Sequence, residues 1–215
     1  MIGEFFFISR KIRKKICRIF SDENALVLDL GAGENPKYQK CMKGSIVGFD
    51  IRRTQKTKVL GDGNKLPFKG NSFNKIISVN SFYYLENPFD VAGDLNRILK
   101  KNGQLVMVMP FYYPVHDAPF DNYRFTEYGI RKMLGKNFKI KEITAVGGVF
   151  NIPAIIMHSL IKGVPLLFKG FLKKIALLVY LLYPLYLIAQ LVSLLDIFDR
   201  TKRFPTYYFV VAAKI

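Results

Sequence analysis

Residues 26 to 36 read Leu-Val-Leu-Asp-Leu-Gly-Ala-Gly-Glu-Asn-Pro, an apolar run closed by a glycine turn, and a second run, Ser45 to Phe49, ends on Asp50. A parallel strand buried on both faces requires such a continuous apolar stretch. Gly31 and Gly33 let the backbone turn tightly and approach a ligand closely, and Pro36 suits the first turn of a following helix. Asp50 follows by about 20 residues, where an acid at a strand end accepts hydrogen bonds from ribose hydroxyls. The pairing is a nucleotide-binding signature. It points to an open α/β sheet with its ligand in the crevice beyond the carboxyl ends of the strands.

A nicotinamide site would need a third glycine, and the run Gly31-Ala32-Gly33-Glu34-Asn35-Pro36 lacks it. At this point the chain resembles the class I methyltransferases that use S-adenosylmethionine, in which an acid two residues before the first glycine faces the cofactor's amino-acid end. Asp29 holds that position. Gly61-Asp62-Gly63-Asn64-Lys65-Leu66-Pro67-Phe68, followed by Ser72 to Val79, resembles the family's acid-plus-Leu-Pro-Phe segment leading into the fourth strand. The resemblance implies that Asp62 accepts from the adenine amino group and that Ile51 packs on the adenine face. It also implies cofactor contacts at Gly31, Ala32, Gly33, Asp50, Gly63 and Asn80. Asn74 departs from the pattern, since relatives usually carry Asp there, but it stands at the strand's start and far from the cofactor.

Downstream, Leu95, Ile98 and Leu99 have helical spacing, Lys100 and Lys101 fall in a last turn, and Gly103 follows as a stop signal. Gln104 to Met109 then reads as a fifth buried strand. Strands alternating with helical segments argue for βαβ units and a parallel sheet. The expected fold is therefore α/β, a Rossmann-like doubly wound, mainly parallel sheet. Thr206 to Lys214 resembles the family's antiparallel last strand, with Phe138 to Val146 as its hairpin partner. The organisation expected is a basic amphipathic helix over 1–22, a methyltransferase core over 23–150, an apolar helical insertion over 151–203 and the final strand over 204–215.

A chain of 215 residues suits one domain with a proper core. Cys17 and Cys41 make no disulfide framework, and His116 and His158 offer no close ligand pair for a metal, so a reduced, cytoplasmic protein without structural metal is expected. A net charge of +17 implies a polyanionic partner surface, nucleic acid or anionic lipid. Between Phe5 and Phe20, Ile8, Ile12, Ile16 and Ile19 fall at helical spacing, with Arg10, Lys11, Arg13, Lys14, Lys15 and Arg18 on the remaining face. That pattern fits a helix lying in a membrane interface, and it equally fits a helix covering the cofactor pocket with a solvated basic face.

From Ile175 to Leu195 about 21 residues pass without a charge, long enough for a spanning helix. If the strands on either side share one sheet, the segment must leave and return on the same side. A single crossing cannot do that. Either Asn151 to Phe168 and Ile175 to Leu195 form a helical pair, or Pro184 breaks the second run into two arms of about 15 Å that dip into one leaflet. Lys162, Lys169, Lys173 and Lys174 before the run, and Arg200, Lys202 and Arg203 after it, keep both ends in the cytoplasm. Tyr180, Tyr183 and Tyr186 would stand at headgroup level. The alternative is an insertion packed on the sheet or between copies of the chain; the length of the uncharged run favours the inner face of the cell membrane.

Directly after the fifth strand, Pro110 to Thr126 interleaves His116, Asp117, Asp121 and Arg124 with aromatics. This stretch resembles a subgroup of class I methyltransferases linked to bacterial surface-glycan assembly, which implies a glycan or lipid-linked acceptor. His116 is the candidate general base, because imidazole titrates near neutral pH. Asp121 is expected to orient it or bind sugar hydroxyls, with Tyr123 and Arg124 as substrate contacts; alternatively Asp121 and Arg124 pair to fix the loop. Thr126 caps a helix over Glu127 to Leu134. Asn80-Ser81-Phe82-Tyr83 lacks the Asn/Asp-Pro-Pro-aromatic loop used on base amino groups, which disfavours a nucleic-acid acceptor. Intact Asp29, Asp50 and Asp62 argue against a non-catalytic adaptor.

Overall fold

A computed structural model describes residues 5–34 and 36–215, side chains at 173, 175 and 176 excepted. The first four residues of the expected basic helix, and Asn35 of the glycine turn, lie outside the described residues. Strands β1 (Leu26–Leu30), β2 (Ser45–Asp50), β3 (Val59–Leu60), β4 (Phe73–Val79) and β5 (Leu99–Pro110) run parallel. β6 (Phe138–Val146) and β7 (Tyr207–Lys214) close the sheet, β7 lying antiparallel to both β5 and β6. The order is β3-β2-β1-β4-β5-β7-β6. Chain direction across the sheet reverses between β1 and β4, which opens a crevice at their carboxyl ends. The expected doubly wound fold and its antiparallel final strand are both present.

Alternation along the strands assigns each side chain to one of two cores. Leu28, Ile76, Leu105 and Met107 face α2 (Pro88–Ile98) and α3 (Glu127–Leu134), while Val27, Ile77, Val106 and Val108 face α1 (Phe6–Ile19) and α4 (Ile152–Gly163). The α1 face carrying Ile8, Ile12 and Ile16 is buried there, which contributes roughly 2 kcal/mol per side chain. That face is therefore spent on the sheet. Of the two readings of the basic helix, the structure favours the helix over the pocket: its apolar face packs on the sheet, and Phe6, Ser9, Arg10 and Arg13 border the space beside the glycine turn, which leaves no apolar face for a membrane interface.

Four local features differ from or add to the sequence reading. Cys17 and Cys41 form a disulfide that joins α1 to the 3-10 turn Lys37–Cys41, correcting the expectation of reduced thiols. Their separation of 24 residues carries no sign of this, because only the packing of α1 beside that turn brings them together. Helix α2 ends at Ile98, and Lys100 and Lys101 lie in β5 instead of a last helical turn, since Leu99 already pairs with Phe73. Asn74 accepts from the Leu26 amide and from Lys100 Nζ, so the departure from the family pattern serves to pin β1 to β4. Thr126 caps α3 as expected, its hydroxyl accepting from Gly129 N at 3.1 Å.

The insertion forms a hairpin of helices, α4 and α6 (Tyr183–Val192), joined through α5 (Gly170–Ala176) and short 3-10 turns. Pro184 stands in the first turn of α6, where its missing donor costs nothing, so it marks the break between two helical arms. The base is fastened. Asp199 and Asp196 accept from the Val149 and Phe150 amides, and Asn151 Nδ2 donates to Thr206 Oγ1 at 2.7 Å. Both ends of the insertion thus meet beside the β6–β7 edge. Two stretches, Val149–Leu166 and Gly170–Ile197, are long and apolar enough to cross a membrane, and only 28% of the first and 19% of the apolar 18-residue portion of the second is buried. A soluble core helix would be mostly covered; here Leu166, Leu178, Leu181, Leu185, Leu191 and Ile197 stand exposed. Tyr180 and Tyr183 are half exposed, but Tyr186 turns inward onto His158, correcting its expected place at the headgroups.

Candidate active site

The glycine turn is held by the neighbouring strand. Gly31 and Ala32 both donate to Phe49 O, and the buried Asp50 carboxylate accepts from Gly33 N at 2.8 Å and Arg52 N at 2.9 Å. Gly31 and Gly33 have φ of +74° and +61°, and a Cβ on Gly31 would lie 2.3 Å from that of Ser81. Only glycine fits there. Ser81 Oγ donates to Leu30 O and bonds Ser78 Oγ, which locks the end of β4 against the end of β1. Asn80, at φ +53°, follows directly, and its Oδ1 is buried without a hydrogen-bond partner.

Around this turn opens a cleft of about 530 Å³. Of the expected cofactor residues, Gly31, Ala32, Gly33 and Asn80 line it. Asp50 and Ile51 at the end of β2, and Asp62 and Gly63 after β3, stand outside its lining. Ile51 is 69% exposed, free to pack on a planar ligand, and Asp62 is an exposed acceptor whose loop is set by bonds from Asn64 N and Nδ2. Asp29 corrects the sequence reading. It is fully buried beneath the turn Lys37–Cys41 and accepts from Tyr38 Oη at 3.0 Å and Gln39 Nε2 at 2.6 Å. Burial raises its pKa to about 6 against the opposing pull of those two donors. Asp29 thus reaches the cleft through Tyr38, which lines it.

The segment after β5 brings His116 and Asp117 to the opposite wall. The His116 ring lies 3.3 Å from Asp117 Oδ2, which also accepts from Tyr84 Oη at 2.8 Å. Asp121 does not touch the imidazole. It accepts from the His116 backbone amide at 2.8 Å and from both terminal nitrogens of Arg124. Its side chain is 3% exposed; burial pushes its pKa up, but the bonds from Arg124 and the amide outweigh this and hold it below the usual value. Arg124 lies over the Tyr83 ring, and Tyr123 donates to Glu86 O and stacks on Phe125. Asp121, Tyr123 and Arg124 therefore fasten the loop that presents His116, and the side chains beside the imidazole are Asp117 and, through it, Tyr84. Asp117 stands in the stretch that the sequence singled out, but Tyr84, 33 positions from its partner, carried no signal of its own.

Residues 28–107 match the profile of the family described as a methyltransferase domain. The match runs from β1 into β5, less than half of the chain, and takes in the glycine turn and the ends of β2 and β4. The chain's enzyme activity is methyl transfer, and S-adenosylmethionine is its cofactor. No curated protein matches the chain. Solved structures share the fold at low identity. An S-adenosylmethionine dependent methyltransferase from Mesorhizobium loti is 13% identical over 94% of this chain and 98% of its own, with a TM-score of 0.59. The complex between the Haloferax volcanii Trm112 methyltransferase activator and a methyltransferase contains a chain 17% identical, with coverages of 94% and 88% and a TM-score of 0.58. The [4+2]-cyclase SpnF is 14% identical, with coverages of 96% and 80% and a TM-score of 0.62. These likenesses concern the fold, which hosts more than one chemistry. The site fits the cofactor on its own residues: the orphaned Asn80 oxygen needs a donor, the glycine cradle would be filled by any Cβ at Gly31, and Asp50 retains acceptor capacity for ribose hydroxyls.

Proposed function

We propose that this methyltransferase acts on a glycan or lipid-linked intermediate at the surface of an anionic membrane. The observation that carries the location is the helical hairpin, whose exposed leucines lie between Lys162, Lys169 and Lys174 on one flank and Arg200 and Arg203 on the other. The glycan reading rests on the resemblance of Pro110 to Thr126.

Bound across the strand ends, S-adenosylmethionine supplies an electrophilic methyl group. Gly31, Ala32, Gly33 and Asn80 would hold its amino-acid portion, and Asp50, Ile51 and Asp62 its adenosine. The half-exposed His116 ring takes the proton from an acceptor hydroxyl, and Asp117 holds the resulting imidazolium. Tyr84 keeps Asp117 in place, and burial raises the Tyr84 hydroxyl's pKa, so it stays a donor. Positioning the acceptor and excluding water supply the remainder of the rate.

Flotation with phosphatidylglycerol-containing vesicles tests the location. The protein is expected in the floating fraction, and Leu178→Glu/Leu181→Glu/Leu185→Glu in the soluble one. Recovery of the unaltered protein with the soluble fraction would reject membrane attachment. RNA retention that falls steeply with salt would support the nucleic-acid reading in its place.

A further inference from the structure

One face of α1 does more than cover the sheet. Phe6, Ser9, Arg10 and Arg13, spaced along a single helical stripe, line the cleft across from His116. Among the described residues, neither Arg10 nor Arg13 has a carboxylate partner, whereas Lys15 on the same helix pairs with Glu142. Lys37 and Arg52 add two further cations to the lining, against Glu34 and Asp117 as its acids.

The cofactor cannot balance this excess. S-adenosylmethionine carries a sulfonium, an ammonium and one carboxylate, so its arrival makes the cleft more positive. An anionic acceptor would supply the countercharge that neither the lining nor the cofactor provides. Two arginines one helical turn apart suit an anion with several oxygens, because each guanidinium offers paired donors. Position narrows this further. Phe5, just before α1, packs edge-on against His158 of α4 at 5.8 Å, and His158 packs on Tyr186 of α6 at 6.0 Å. The start of α1 is thus packed through these rings, of which Phe5 and Tyr186 are buried, against the base of the apolar hairpin, which keeps the arginine-lined cleft next to it.

We propose that Arg10 and Arg13 bind a phosphate or diphosphate group of the acceptor and set the distance between it and the hydroxyl presented to His116. This rests on the methyltransferase reading and narrows its substrate class to phosphorylated acceptors. A lipid carrier and a free sugar phosphate share that chemistry; the exposed leucines of the adjoining hairpin favour the lipid carrier.

The test is calorimetric titration of the full chain saturated with S-adenosylhomocysteine, using inorganic diphosphate and farnesyl diphosphate as probes. Saturable binding of both is expected, tighter for the farnesyl ester. Arg10→Gln/Arg13→Gln should weaken both by about tenfold or more. Its affinity for S-adenosylhomocysteine and its melting midpoint should stay unchanged, and the outward Lys11→Gln/Lys14→Gln variant should bind both probes as the unaltered protein does. Equal affinity for the two probes would keep the anion site and assign it to free phosphates. Absence of diphosphate binding, equal loss in the lysine variant, or loss of S-adenosylhomocysteine in a folded arginine variant would overturn the proposal. Failure of the unaltered chain to bind S-adenosylhomocysteine would instead strike the methyltransferase reading itself.

Discussion

Asp29 shows how far a motif residue's role depends on the side chains folded over it. Its place before Gly31 was legible in the sequence; Tyr38 and Gln39 closing over it were not, because the turn that carries them holds only a short 3-10 helix. Its pKa of about 6 exceeds the ordinary 3.8, so the folded protein holds this proton more tightly than the unfolded chain does. The associated stability is present below pH 4 and is lost as pH rises toward 6. Relative to the unaltered protein, Asp29→Asn should gain on the order of 2 to 3 kcal/mol between pH 4 and pH 7, read from urea midpoints. A pH-independent difference would mean that Asp29 titrates as a normal acid. At His116 the expectation is kinetic. His116→Ala should slow transfer of tritium from methyl-labelled S-adenosylmethionine into membrane extract by about a hundredfold, with cofactor affinity unchanged. Undiminished transfer would remove the imidazole from the mechanism.

Among the elements, those fixed by local periodicity match their expected bounds closely: α3 begins at its Thr126 cap, and β6 spans Phe138–Val146. Elements whose fate depends on remote packing do not. The basic stripe of α1 is the same on a membrane or over a cleft, and only the sheet decides that Ile8, Ile12 and Ile16 face inward. The disulfide belongs to the same class, since it fastens α1 to the turn bearing Tyr38 and so joins two walls of the cleft. Closing a loop of 24 residues restricts the unfolded chain. Cys17→Ser/Cys41→Ser should therefore lower unfolding stability by about 3 kcal/mol in urea, and a non-reduced digest should yield the two cysteine peptides as one mass. Equal stability and separate peptides would contradict the crosslink.

The whole molecule combines a Rossmann-like sheet, an apolar hairpin that leaves and rejoins it at one edge, and a helix that turns one face to the cleft. Strands β1, β2, β4 and β5 were legible because each has an apolar run that stops at a turn, an acid or a proline, whereas β3, only Val59–Leu60, gave no such run. The acceptor was not legible, since it is read by side chains from α1 and the segment after β5, some 100 positions apart, that only the fold brings together. The central claim is that the strand ends around Gly31, Asp50 and Asn80 hold the sulfonium cofactor. A crystal structure of the protein with S-adenosylhomocysteine tests it most directly. The amino-acid portion should lie against Gly31–Gly33, with a donor on Asn80 Oδ1, and the ribose hydroxyls on Asp50. A ligand bound elsewhere, or a cleft closed by Tyr38 and Tyr83 with no room for it, would contradict the account.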